Sequence, residues 1–280
     1  MGSEPGSDWA LAGGFTRGPL GMFAVVISKA VILDLDDTLI VEEEVAHSSL
    51  RRAAELVTGR DPGQVVEVVL TTARRIWRAG PDYALCHQLG IASWEGLWAT
   101  FEASPSILDE VREWAPVYRQ EAWRAALQEL GIDDPALAAT LSDSYVESQR
   151  APHPLIDGAA ELVHFLEGRC QLGLLTNGPA DIQHHKLAGT GLADCFGAVV
   201  ISGEVGLGKP DPDVFALTLS RLDAKAASAV MVGDSWARDI IGALDAGLSA
   251  VWISAGRPQP EKRPNVTVVN AVGELVGRNF

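Results

Sequence analysis

The chain has 280 residues, 47% hydrophobic and 21% charged, a composition that supports a sizeable packed core and excludes a disordered protein. Its 37 acidic residues against 22 basic ones leave a formal charge of −15, which argues against nucleic acid or an anionic membrane as a main partner. Cys86, Cys170 and Cys195 are scattered and lack paired spacing, so neither a disulfide framework nor a cysteine metal cluster is expected, and a reducing cytoplasm is the default. No apolar run approaches the roughly 20 residues that span a bilayer.

Residues 1–22 are rich in glycine and lack a basic leader region, so they read as a mobile extension rather than a secretory signal. Ala30-Val31-Ile32-Leu33 is a short apolar run that stops abruptly at Asp34. Apolar residues then recur at helical spacing through 41–154: Leu50, Ala53, Ala54 and Val57; Val65, Val68, Val69, Thr72 and Ile76; Trp94, Leu97, Trp98 and Phe101. Pro116 is expected to open a helix, because its ring is tolerated in a first turn. Residues 137–146 form a further helical candidate. This segment is expected to be an all-helical domain, with Glu42-Glu43-Glu44 and Pro152-His153-Pro154 as its linkers.

From 155 onward strand and helix alternate. Leu172–Leu175, Ala198–Ile201, Ala229–Val232, Ala250–Ile253 and Val266–Val269 are apolar at nearly every position, as strands buried on both faces are. Helical patterns lie between them: 159–167 after Asp157 as N-cap, 214–222 after Asp211, and 238–246 ending at Gly247. The fold class expected is α/β, a doubly wound, Rossmann-like parallel sheet built from 23–40 and 155–280, interrupted by the helical insertion.

Four polar elements follow four of these strands. Asp34-Leu35-Asp36-Asp37-Thr38-Leu39 places two carboxylates two residues apart just past a strand end, where ligands bind in open α/β sheets. An extended segment would point both the same way, which is costly unless a metal or a proton separates them. Thr176-Asn177-Gly178 offers a hydroxyl and an amide, although this is also an ordinary turn composition. Gly208-Lys209-Pro210-Asp211-Pro212 holds a lysine in a rigid, proline-bounded loop. Gly233-Asp234-Ser235, with Asp239 five residues after Asp234, adds two carboxylates, either of which could instead be a helix cap. The set supplies hard oxygen ligands, donors for phosphate oxygens and one positive charge, a combination suited to Mg²⁺ and a phosphorylated ligand.

In this order the four motifs resemble the haloacid dehalogenase superfamily, specifically its phosphatase branch with a helical cap inserted between the first and second motifs. The resemblance implies that Asp34 attacks phosphorus to give a phosphoaspartate. It implies that Asp36 protonates the departing oxygen and later deprotonates water. It further implies Mg²⁺ held by the Asp34 carboxylate, the Asp36 backbone carbonyl and Asp234, with Asp239 a ligand or an anchor of the set. Thr176, Lys209 and Asn177 would hold the phosphoryl group. Such an enzyme is expected to act in the cytoplasm on a small phosphorylated metabolite, a sugar phosphate or a nucleotide-like phosphomonoester.

Asp36 argues against the superfamily's dehalogenases, which generally lack that second aspartate. A mutase or other phosphotransferase would use the same residues. A phosphoacceptor receiver or binding module would be smaller and would not carry the acidic pair at the nucleophile. The insertion's tryptophans and arginines read more simply as packing and solvated faces than as a substrate lid, so no residue of 41–154 is assigned to the site.

Overall fold

The computed structural model describes residues 29–102 and 104–278; the glycine-rich extension expected at 1–22 lies outside them. Strand β1 (Ala30–Leu33) leads into helices α1 (Glu43–Ala54), α2 (Pro62–Ala79), α3 (Tyr83–Gln88), α4 (Ser93–Gly96), α5 (Asp109–Glu129) and α6 (Pro135–Gln149). The chain then runs through α7 (Ala159–Leu166), β2 (Gln171–Thr176), α8 (Ala180–Thr190), β3 (Ala198–Ile201), α9 (Ser202–Val205), α10 (Pro212–Arg221) and β4 (Ala229–Gly233). A π-helical turn (Trp236–Ile241), α11 (Gly242–Asp245), β5 (Ser249–Ile253) and β6 (Val266–Val269) follow.

All six strands pair in parallel, in the order β3-β2-β1-β4-β5-β6. The order reverses beside β1, so the crevice at the carboxyl ends of β1 and β4 is the topological switch point where such sheets bind ligands. Successive side chains alternate between the two faces. Val31, Leu33, Leu174, Val230 and Val232 pack with α7 on one side, and Ala30, Ile32, Leu175 and Met231 pack with α10 on the other. Two-sided burial explains the continuous apolar runs of the central strands. β6 departs from that pattern: it is an edge strand, with Thr267 and Val268 exposed.

The segment between β1 and β2 builds its own apolar core, in which Val65, Val69 and Ala73 of α2 meet Val111, Tyr118 and Trp123 of α5. Pro116 does not open a helix; it lies inside α5. Its ring removes one backbone hydrogen bond, but Pro116 is on the exposed side, where water can serve the freed carbonyl. The buried face of α5 then decides its length. The expected helical stripe from Trp94 to Phe101 is also cut short, since α4 ends at Gly96. Asp181 of α8 accepts hydrogen bonds from the Thr100 N–H (2.6 Å), the Thr100 hydroxyl (3.0 Å) and the Phe101 N–H (3.3 Å), capturing backbone donors that a continuing helix would need. Leu97, Trp98 and Phe101 are buried all the same.

Asp211 caps α10 as expected, accepting from the Asp213 N–H at 3.0 Å. Asp157 does not cap α7: the N-cap is Gly158 at φ 85°, where any side chain would collide with Gly273. Among the described residues, no helix is long and apolar enough to cross a membrane.

Candidate active site

β1 hands its ladder directly to Asp34, whose N–H donates to the Val232 carbonyl of β4 at 3.0 Å. The carboxylate is therefore rooted in the sheet. Lys209 Nζ donates to Asp34 Oδ1 at 2.6 Å, and the Thr38 hydroxyl to Oδ2 at 3.3 Å. Burial pushes the Asp34 carboxyl well above the usual range; Lys209 opposes this, and Asp239 and Asp234 add to it.

Asp234 follows Gly233 at the end of β4 and is met by Arg257, whose Nη2 donates to Oδ2 at 3.2 Å and to the backbone carbonyl at 2.9 Å. Its carboxyl is raised to about 6, by burial and then by Asp239. Neither Asp234 nor Asp239 caps the following turn, because Ser235 does so. Asp239 instead turns back to accept from the Ser235 N–H at 2.8 Å. A Cβ at position 233 would fall 2.3 Å from Asp239 Oδ2, so only glycine lets this carboxylate approach the strand end. Lys209 Nζ lies 2.7 Å from Asp239 Oδ1.

Ligand oxygens of Asp34, Asp234 and Asp239 all lie within 4.8 Å of one another. Three carboxylates share the Lys209 ammonium and the half-exposed Arg257. The donor set is all hard oxygen, and the mutual repulsion that adds to burial in raising Asp34 and Asp234 is what a divalent cation relieves, so these residues fit Mg²⁺.

Lys209 is buried, unlike most lysines, and its backbone is clamped by Asn177. The Lys209 N–H donates to Asn177 Oδ1 and Asn177 Nδ2 donates to the Lys209 carbonyl, both at 2.9 Å. Thr176, at the end of β2, is buried beside them. The four motifs therefore converge on one crevice.

The paired carboxylates of the first motif do not share one partner. Asp36 accepts from Gln183 Nε2 at 2.7 Å and from Lys186 Nζ at 3.2 Å, and its carboxylate is not among the clustered ligand oxygens. Burial raises its carboxyl above the usual range, with Lys186 opposing. Lys186, wholly buried in α8, also reaches Glu42 at 3.0 Å, and Glu42 reaches His153 at 3.0 Å. Burial alone would raise Glu42, but Lys186 and His153 outweigh it and hold the carboxyl low. Gln183, Lys186, Glu42 and His153 were all missed in the sequence. The available signal was two polar residues, Gln183 and Lys186, on the same helical face as Ile182 and Leu187.

A cavity of about 350 Å³ is lined by Asp36, Glu42 and Asn177 together with Arg74, Arg78 and Glu95 of the helical insertion. The insertion sits close over the motifs: a Cβ at Gly90 would lie 2.7 Å from Asn177 Nδ2, and one at Gly208 would lie 3.0 Å from the Leu89 Cα.

A family model of haloacid dehalogenase-like hydrolases matches residues 28–247. A phosphoserine phosphatase of Thermus thermophilus is 37% identical over 245 residues, covering 86% of this chain and 95% of that one. A glyceraldehyde 3-phosphate phosphatase of Methanopyrus kandleri is 29% identical over 235 residues, covering 82% and 86%. In fold, the chain is similar to the solved structure of the putative HAD-hydrolase YfnB of Bacillus subtilis, at a TM-score of 0.61 and 23% identity over 89% of this chain and 97% of that one. A match that runs from β1 past Asp239, with phosphatases among relatives aligned over most of their length, means that the chain belongs to the haloacid dehalogenase-like hydrolases and is a phosphoric monoester hydrolase.

Proposed function

We propose that this phosphatase is Mg²⁺-dependent, acts on a small phosphorylated metabolite and uses Asp34 as its nucleophile. The observation that carries the reading is the cluster of Asp34, Asp234 and Asp239 around the single Lys209 ammonium at the switch point of the sheet. Mg²⁺ held by these carboxylates, and by the Asp36 carbonyl that the motif implies, would neutralise charge on the phosphoryl oxygens. Lys209 and Thr176 supply the remaining donors, and Asn177 keeps Lys209 aimed.

In the first displacement an Asp34 oxygen bonds to phosphorus as the ester oxygen leaves, and Asp36 gives that oxygen its proton. In the second, Asp36 takes a proton from water, the water oxygen bonds to phosphorus and the bond to Asp34 breaks. The products are the free alcohol and orthophosphate, with both aspartates restored. Gln183 and Lys186 support this role by holding Asp36 away from the Asp34 cluster, and burial favours the protonated form that the first displacement needs.

The relative from Thermus thermophilus makes phosphoserine the first ester to assay. The test is orthophosphate release from a panel of phosphomonoesters, with Mg²⁺ or with EDTA, by wild type and Asp34→Asn. Release that requires both Mg²⁺ and Asp34 supports the reading. Release by folded Asp34→Asn sinks the nucleophile assignment, and undiminished release in EDTA sinks the metal.

A further inference from the structure

The cavity carries a charge pattern that phosphoryl transfer does not use. Arg74 and Arg78 lie one turn apart on α2, about 6 Å along its axis, and the buried Trp77 between them fixes which way that face is turned. Arg238, from the π-helical turn, lines the same cavity. Among the described residues, eleven arginines reach a carboxylate or a backbone carbonyl. Five have no such partner, namely Arg52, Arg74, Arg78, Arg150 and Arg238, and three of these line this one cavity.

Arg74 and Arg78 are exposed, but their convergence with the half-buried Arg238 on one cavity is more than a solvated helix face requires. Arg75, adjacent to Arg74 but outside the cavity lining, pairs with Glu129 at 2.9 Å. In a chain of charge −15, carboxylates are abundant, and three unpaired guanidiniums around one concavity repel each other unless something anionic enters. The cavity's own acids are already engaged. Asp36 is held by Lys186 and Gln183, Asp37 accepts from the Glu42 and Glu43 N–H groups at 3.0 and 3.2 Å, Glu42 is held by Lys186 and His153, and Glu95 accepts from the Ala92 N–H at 2.7 Å.

We infer that Arg74 and Arg78, with Arg238, form a subsite for a second oxyanion of the substrate, a carboxylate or a second phosphate, in the cavity that Asp36 also lines. This rests on the phosphatase reading of the same cavity. The substrates selected are small phosphomonoesters with a second negative charge, and guanidinium forks suit both oxyanions.

Two matched pairs of esters test it and separate the two oxyanions: phosphoserine against phosphoethanolamine, and fructose 1,6-bisphosphate against fructose 6-phosphate. Wild type is expected to prefer the doubly anionic member of at least one pair. Arg74→Ala and Arg78→Ala should each raise KM for that member by about 10- to 100-fold, the range for losing a charge-assisted hydrogen bond. The loss on its partner ester should be at least about tenfold smaller on the same grounds. Equal losses on both members of each pair, or no preference in wild type, overturn the subsite. Absence of turnover of every ester counts against the phosphatase reading, and the subsite is then judged by calorimetry on unreacting phosphonates. Binding of 2-amino-4-phosphonobutanoate that exceeds that of 3-aminopropylphosphonate, and loses this excess in Arg74→Ala and Arg78→Ala, supports it; equal binding overturns it.

Discussion

Lys186 Nζ stands 3.2 Å from Asp36 Oδ1 and its side chain has no exposed surface, so the partly exposed Asp36 carboxylate is held from beneath by a buried cation. The same ammonium serves Glu42, which lies under His153. Lys186→Met should leave Asp36 and Glu42 without their shared counter-charge and destabilise the protein by about 3–5 kcal/mol, as breaking a buried ion pair from one side does. Chemical denaturation checks this. A change within about 0.5 kcal/mol, the scale of surface substitutions, would mean the network is solvated.

Asp36→Asn keeps the size of the side chain and removes the proton transfer proposed for it. Turnover of an alkyl phosphate should fall by roughly 10²–10⁴. p-Nitrophenyl phosphate, whose leaving group needs little protonation, should lose less in the first displacement. A uniform loss on both esters in single-turnover measurements would move the acid role to another group.

The Asp34, Asp234 and Asp239 oxygens repel one another without a cation, so Mg²⁺ should stabilise the fold. At a concentration 100 times its dissociation constant the gain is about 2.7 kcal/mol, or roughly 5–10 °C in Tm for a chain of this size. Asp234→Asn should melt higher than wild type in EDTA, because burial and Asp239 oppose ionisation of Asp234, and should respond less to Mg²⁺. An undiminished Mg²⁺ response in a thermal scan would remove Asp234 from the ligand set.

Gly90 has φ 73°, and a Cβ there would meet Asn177 Nδ2 and Arg238 Nη1 at 2.7 Å each. Gly90→Ala should therefore cost about 1–2 kcal/mol from backbone conformation alone and disturb the amide that clamps Lys209. A drop in kcat/KM with the fold retained by circular dichroism is the expected result; unchanged kinetics would show that the 88–91 turn moves freely off the motifs.

Burial pushes Glu95 up to about 8, against the opposing pull of Lys186. The folded state thus keeps a proton that the unfolded chain releases near pH 4.5. The resulting stabilisation is complete below that value, declines as pH rises and is gone once pH passes about 8. Glu95→Gln, which mimics the protonated form, should gain in Tm relative to wild type between pH 5 and pH 9 by roughly 5–10 °C. Parallel melting curves across that range would place Glu95 in contact with water.

The central strands were legible because burial on both sheet faces writes itself as unbroken apolar runs, and Ala30–Leu33 and Ala198–Ile201 end where those runs end. Asp34, Thr176 and Asp234 were legible for the same reason: each is the last residue of a strand or follows it directly. Pro116 and the 94–101 segment were misjudged because their outcome depends on partners. The exposure of one face of α5 makes the proline tolerable, and Asp181, some eighty residues away in the chain, ends the short helix at Gly96.

Glu42 and His153, read as linker residues, are buried against each other at the two ends of the helical insertion, with Lys186 of α8 paired to Glu42. Nothing local distinguishes them from the solvated charges beside them. Arg74 and Arg78 likewise gain meaning only from the cavity they share with Arg238. The sequence by itself determined the sheet, the strand-end motifs and the phosphoryl-transfer chemistry, since periodicity and residue type act over a few neighbours. Tertiary structure alone decided which charges lose water and which cations they meet, because desolvation and ion pairing depend on distances that close only when the chain folds.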